Sequence, residues 1–478
     1  MQMILDGQKR WASDGRKIDV MNPATLEVFD SVPDASLEDI QFALECAHRG
    51  KEMYSHRSVD DRIDMLMRVA EKLAAHSEEL GDLLCRELGR PYAQCLSEAA
   101  GLGDFFRFYA EKLRHTYGET LPANNPGDIV MTQREPLGVV FCIVPFNFPL
   151  GLYAFKVAPA LAAGNMVIVK PASVTPLASI RMTELMLEAG VPKEALQVIT
   201  GRGERVAEAI AASPFVNAIS LTGSTHAGLR IAEKAAANLS RVFLELGGND
   251  PLIIRKDADL NVAVRETIQG RMFNAGQVCC ASKRIIVQRD IVEAYVEKLS
   301  DALRRINVCD PWDSKSEMGP LITCEAAIRV EEQIRRTLSQ GAKLTLGGHR
   351  FHENYFEPTI LTDVTRDMDI ARDMEVFGPV VPVIAYDLDD EAIEIANQSK
   401  FGLSGGVIGR DIRAAAGMAM RLQSGTAVVN GCGDYRNLHT PFGGRKMSGI
   451  GTEGLLHSLE EMMNTKVIAI RNIFEPIG

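Results

Sequence analysis

The chain has 478 residues, 46% of them hydrophobic, and a formal net charge of -11. That length supports two or three domains with substantial cores, and the composition excludes a fibrous or membrane-embedded class. No basic tract argues for nucleic acid or an anionic membrane, and the longest apolar stretch, 139–163, is broken by prolines, an asparagine and a lysine before it reaches the ~20 residues that a bilayer requires.

The nine cysteines have no ladder-like spacing, and residues 1–10 lack the pattern of a signal peptide, so a reducing, cytoplasmic setting is expected. His226, His439 and His457 are isolated, and His349 with His352 lacks a ligand partner at a recognisable spacing, so no metal site is expected.

Residues 1–34 read as short strands and turns interrupted at Asn22-Pro23. Three amphipathic helices are expected over 36–47, 59–88 and 93–115, forming a packing layer in which no single residue stands out functionally. The stretch 122–136 turns at Asn124-Asn125-Pro126-Gly127 and then becomes extended, either as an arm that leaves the body or as a surface hairpin.

From 139 to 244, apolar runs at 139–144, 166–169, 196–200, 216–221 and 242–244 alternate with helical patterns at 150–163, 176–189 and 205–212. Buried runs linked by amphipathic helices imply a mostly parallel sheet covered on both faces, and such sheets bind ligands at the C-terminal ends of their strands.

Those strand ends carry polar residues. Pro145-Phe146-Asn147-Phe148-Pro149 fixes an asparagine whose amide can donate to a developing negative charge. Lys170-Pro171-Ala172-Ser173 offers an ammonium and a hydroxyl to a ribose or phosphate. Gly201-Arg202-Gly203 and Thr222-Gly223-Ser224 open helices and suit close approach of a dinucleotide or serve as ordinary connections; Val206 breaks the standard dinucleotide fingerprint. Glu245, before Gly247-Gly248, is a candidate base.

A second α/β region follows, with helical patterns at 260–271, 291–306, 326–340, 391–398 and 412–422 and strands at 285–287, 343–345, 380–385 and 426–430. The run 467–470 is a late strand able to pair with the 122–136 arm. Between the 260–271 helix and the 285–287 strand lies Gly276-Gln277-Val278-Cys279-Cys280, where the two thiols are either a reactive pair at a junction or two small buried apolar groups.

These motifs, with Glu375-Val376-Phe377-Gly378-Pro379 and Pro441-Phe442-Gly443-Gly444, occur in one order over essentially the whole chain, and together they resemble the NAD(P)-dependent aldehyde dehydrogenase superfamily. The resemblance implies an α/β fold with a modified Rossmann cofactor domain (1–115 and 137–247), an α/β catalytic domain (248–448) and a small β oligomerisation arm (116–136 and 449–478). It makes Cys279 the nucleophile, Glu245 the general base and Asn147, with the Cys279 N–H, the oxyanion hole. Lys170, Ser173, Gly203, Thr222, Gly223, Ser224, Leu246, Glu375, Phe377 and Phe146 fall on cofactor-binding positions. The implied reaction is oxidation of an aldehyde to its acid through a thiohemiacetal, hydride transfer and thioester hydrolysis.

NAD or NADP is the expected cofactor. Ser173 stands where many NAD-preferring members carry a glutamate that repels a 2′-phosphate, so NADP is expected to be accepted, either alongside NAD or in preference to it. A largely apolar substrate pocket is expected from Leu150, Phe155, Phe273, Val278, Cys280 and the 432–440 loop, with Arg436 and His439 facing a polar tail, solvent or another subunit. The Lys-Pro-Ala-Ser setting resembles bacterial succinate-semialdehyde dehydrogenases, although Phe155 and Phe273 stand where those enzymes have arginines. The alternative is a dehydrogenase for a small semialdehyde or hydroxyaldehyde, such as succinate semialdehyde or lactaldehyde, held through Arg436. A catalytically silent structural relative is the contrasting class. A homodimer or homotetramer is implied, with no nucleic-acid or membrane partner.

Overall fold

The computed structural model describes residues 1–437 and 439–473. Leu438, inside the 432–440 loop, and 474–478, the end of the expected C-terminal arm, lie outside the described residues.

The fold is built on two parallel-rich sheets. In the first, Leu196–Val198, Met166–Lys170, Val139–Ile143, Ala218–Thr222 and Arg241–Glu245 run parallel in that spatial order. Antiparallel additions flank them: Met3–Leu5 with Gln8–Arg10 at one edge and Gly449–Ile450 at the other. The strands Met166–Lys170 and Ala218–Thr222 are buried along their whole length, because helices cover both faces and leave no position for alternation with polar residues.

The second sheet runs Lys343–Leu346, Thr359–Val364, Val380–Tyr386, Ser282–Gln288, Asp250–Ile254, Gly406–Ile408 and Val428–Val429, parallel except for its first pair. Each sheet has its own apolar core. Among the described residues no helix is long and apolar enough to cross a membrane.

Most elements fall where the pattern puts them, and the exceptions have local causes. The expected 59–88 helix is two, Val59–Ala75 and Ser77–Leu88. His76 turns its ring nitrogen onto the Lys72 carbonyl at 2.8 Å and so competes for an end-of-helix acceptor. The expected 93–115 helix likewise divides at Gly101 into Tyr92–Ala100 and Leu102–Leu113. The 426–430 strand shrinks to Val428–Val429, since Asn430 adopts a φ of 57°.

The arm forms as a sheet of Met463–Ile470, Ile129–Pro136 and Thr120–Leu121, with Ile470 opposite Ile129. Its C-terminal part begins later than the expected 449. Gly449–Ile450 joins the first sheet, and the buried Leu459 and Met462 sit in that sheet's core.

The helix Leu260–Met272 delivers the chain to the Cys279 segment through an unusual turn. Asn274, Ala275 and Gly276 have φ of 50°, 53° and 74°, three consecutive left-handed residues. For Ala275 that conformation costs roughly 1–2 kcal/mol. The surroundings hold it: buried Arg271 donates to the carbonyls of Val380 (2.6 Å), Val376 (2.8 Å) and Gly276 (3.4 Å). Gln277 adds a bond from its side chain to the Asn274 carbonyl at 3.1 Å and accepts from the Ile322 N–H at 2.9 Å.

Gly276 is required on two counts, because an added Cβ would also stand 2.3 Å from the Gly378 carbonyl oxygen. Gly276→Ala is therefore expected to cost roughly 2–4 kcal/mol of stability and most of the activity, read by thermal denaturation and NAD(P)H formation; a wild-type melting temperature would contradict this account of the turn.

Candidate active site

Cys279 is partly exposed at a waist between two cavities of about 520 Å³ and about 580 Å³, and Thr222 is the other residue lining both. The smaller cavity is walled by the C-terminal ends of the first sheet's strands: Pro145, Phe146 and Asn147 after one, Ala172 after the next, Thr222, Gly223 and Ser224 after a third, Leu246 and Gly247 after a fourth. Glu375 and Phe377 close it from the opposite side. This is where ligands bind in open parallel sheets.

Several features suit this cavity to a dinucleotide. The Thr222 hydroxyl is buried with no partner among the described residues. The Glu375 carboxylate accepts from the Gly248 N–H at 3.1 Å and pairs with Lys283 at 3.1 Å. Its Oε2 would stand 2.3 Å from a Cβ on residue 247, so the carboxylate occupies the space that Gly247 leaves free. Phe146 and Phe377 meet edge to face at 6.0 Å.

Lys170, Ser173 and Gly203 lie outside this lining. Lys170 is buried, donates to the Pro171 carbonyl at 3.2 Å, and is brought down to about 8 by burial. Ser173 donates to the Gly201 carbonyl at 2.9 Å, and Gly203 begins the helix Gly203–Ala211.

Around the thiol, Asn147 Nδ2 donates to the Gln277 carbonyl at 3.0 Å, which spends one amide hydrogen and leaves the second without a partner among the described residues, in a cavity that Cys279 also lines. The neighbouring Cys280 thiol holds Cys279 down to about 7, against the opposing effect of burial, with the charges of Arg436 and Lys283 acting in the same direction as Cys280. Cys280 moves the other way, up from its ordinary range. Glu245 is buried on the larger cavity's wall, its Oε2 unpartnered among the described residues. Burial first, and then the nearby Glu453 carboxylate, push its acid well above the usual range.

The larger cavity gathers Phe155, Phe273, Val278, Cys280 and Arg436 as expected. Leu150 is a correction: it is fully buried off the cavity, and its N–H donates to Glu98 at 3.1 Å, so Leu152 one turn edge further on reaches the lining instead. Phe146 belongs to the smaller cavity. His439 also lies off the lining, with its ring 5.4 Å from Phe108.

The wall is more polar than expected, because Gln94, Ser97 and Glu98 enter from the helix Tyr92–Ala100, with Arg90 just before it. Arg90 is buried, ion-paired with Glu98, and lies 5.1 Å over the Phe148 ring. The available signal was the polar set at 94, 97 and 98, which has helical spacing. Lys283 and the buried pair Lys156 with Glu453 were also missed. Each lies within an otherwise apolar or unmarked run, and only three-dimensional proximity to Cys279 or Glu245 singles it out.

The family model for the aldehyde dehydrogenase family matches residues 11–468. The chain is 34% identical to a lactaldehyde dehydrogenase of Methanococcus vannielii, over 98% of this chain and 100% of that one. It is 37% identical to a 3-sulfolactaldehyde dehydrogenase of Priestia megaterium, over 96% of each. The crystal structure of betaine aldehyde dehydrogenase from Staphylococcus aureus in complex with NAD+ superposes with a TM-score of 0.96 at 33% identity, covering 100% of this chain and 96% of that one. With its two-cavity site and a match along nearly its whole length, the chain belongs to the aldehyde dehydrogenase family, whose members are oxidoreductases.

Proposed function

We propose that this protein oxidises an aldehyde to its carboxylic acid with NAD or NADP, and that Cys279 carries the reaction. The observation that supports this most directly is the position of Cys279 between two cavities, with a thiol near neutrality on the pH scale.

The Cys279 thiolate adds to the aldehyde carbon, and the carbonyl π electrons move onto oxygen. Asn147 Nδ2 and the Cys279 N–H donate to that oxyanion. The bound nicotinamide cofactor supplies the acceptor for the hydride that leaves the same carbon. Collapse of the oxyanion expels that hydride and leaves an acyl group on the Cys279 sulfur. Glu245 takes a proton from water, the resulting hydroxide adds to the thioester, and the C–S bond breaks to return the thiolate. A base at this position favours release of a free acid over transfer to coenzyme A.

Cofactor contacts are assigned to both sides of the smaller cavity: Glu375 to the nicotinamide ribose, Phe377 beside the nicotinamide, Thr222, Gly223, Ser224, Leu246 and Phe146 along the crevice. Lys170 and Ser173 are assigned to the far ribose, with Gly203 at the adjoining turn. Because Ser173 brings no carboxylate there, a 2′-phosphate meets no repulsion. The segments 1–115 and 137–247 would serve the cofactor and 248–448 the thiol chemistry. The arm sheet would join copies into a homodimer or homotetramer of a cytoplasmic enzyme, consistent with the exposure of Val467 and Ile470 on its last strand.

A narrower reading, a dehydrogenase for a small semialdehyde or hydroxyaldehyde such as succinate semialdehyde or lactaldehyde, is favoured by the similarity to the lactaldehyde and 3-sulfolactaldehyde enzymes and by the polar wall of the larger cavity.

An aldehyde panel assayed with NAD and NADP separately tests the reaction; Cys279→Ala should lose aldehyde-dependent NAD(P)H formation, and retained activity would refute the assignment. Glu245→Gln should still acylate, giving a burst of about one NAD(P)H per site followed by turnover slowed on the order of a hundredfold or more. Steady slow turnover without a burst would deny Glu245 the hydrolytic step. Alkylation of Cys279 by iodoacetamide should accelerate as pH rises through about 7, since the thiolate is the reactive form. Cys280→Ala removes the largest cause of that lowering and should move the midpoint upward.

A further inference from the structure

Resting on the aldehyde-oxidation reading, we propose that the preferred substrate carries an anionic head group (carboxylate, sulfonate or phosphate) at the end of a short chain, and that the Arg436 guanidinium receives it. The larger cavity contains two guanidinium groups in different circumstances. That of Arg90 is buried and committed to Glu98. That of Arg436 has no carboxylate partner and no hydrogen bond among the described residues, although it lines the same cavity as the thiol.

Of the acids on the same wall, Glu245 feels the Arg436 charge without a hydrogen bond or ion pair to it among the described residues, and two others are engaged elsewhere. Asp434 accepts from Gln269 at 3.2 Å and from the Cys432 thiol at 2.6 Å, and Glu453 is paired with Lys156. The Arg436 guanidinium lies 3.6 Å from the Phe442 ring centroid and 5.0 Å from that of Phe155. Aromatic surfaces steady its plane while leaving the N–H edge available, and that edge matches two oxygens of a carboxylate, sulfonate or phosphate. Arg436 is exposed, so its donor edge would stay hydrated beside a neutral aliphatic aldehyde, whereas an anionic head group can take the place of that water.

Arg436 also lowers the Cys279 thiol, so its loss should slow every substrate to some extent. The informative quantity is therefore a ratio. The test compares kcat/KM for 4-oxobutanoate, sulfoacetaldehyde and glyceraldehyde 3-phosphate, each against butanal, in wild type, Arg436→Gln and Arg436→Lys.

Wild type should favour at least one anionic aldehyde over butanal, and the preferred one identifies the head group. Arg436→Gln should reduce that preference by roughly tenfold or more, chiefly through KM, with Arg436→Lys between the two. Equal losses for anionic and neutral substrates would overturn the proposal, as Arg436 would then act through the thiol alone. Wild-type preference for butanal over all three anionic aldehydes would overturn it too, with the oxidation reading left standing. Failure to oxidise any aldehyde would overturn both.

Discussion

The site depends on a backbone constraint, the three left-handed residues Asn274, Ala275 and Gly276 that carry the chain from a helix into the Cys279 segment. Arg271 holds this turn against Val376 and Val380, while the Asn147 side chain donates to the Gln277 carbonyl from the first sheet. The turn is thus tied at once to the segment bearing Glu375 and to the segment bearing Asn147. Strain persists where surrounding contacts over-determine it, and here those contacts come from the segments that carry Asn147 and Glu375.

The electrostatics depend on the same convergence. Burial alone would raise a cysteine thiol, and the opposite result at Cys279 requires the adjacent Cys280 thiol together with cationic charge from Lys283 and Arg436. Lys283 also donates to the Cys279 carbonyl and pairs with Glu375, so one buried ammonium links the thiol segment to the cofactor-side carboxylate. Glu245 lies on the other side of the balance: burial and a neighbouring carboxylate favour its proton. The lowered thiol suits a nucleophile, and the raised proton affinity of Glu245 makes its carboxylate, once deprotonated, a stronger base for the proposed hydrolytic step.

The division into two cavities explains why residues close in sequence have different surroundings. Phe146 and Asn147 line one cavity and Phe148 the other, because the chain bends through 146–148; an extended strand would put 146 and 148 on the same face. Leu150 is off the pocket because it lies at the start of the helix Gly151–Ala163 with its side chain in the core.

The sequence by itself determined the alternation of buried strands and helices and the order of the motifs, and it singled out Cys279, Glu245 and Asn147 as candidates. Apolar periodicity and short motifs are local properties, and most elements accordingly formed within a few residues of their expected ends. Tertiary structure alone decided which polar residues share a cavity. The helix Tyr92–Ala100 reads as a packing element, yet its 94, 97 and 98 side chains reach the larger cavity, and Lys156 with Glu453 becomes visible only as a pair separated by 297 positions. Arg436 illustrates the reason: its charge is plain in the sequence, but the absence of a carboxylate partner among the described residues and the aromatic surfaces beneath it depend on how distant segments fold together.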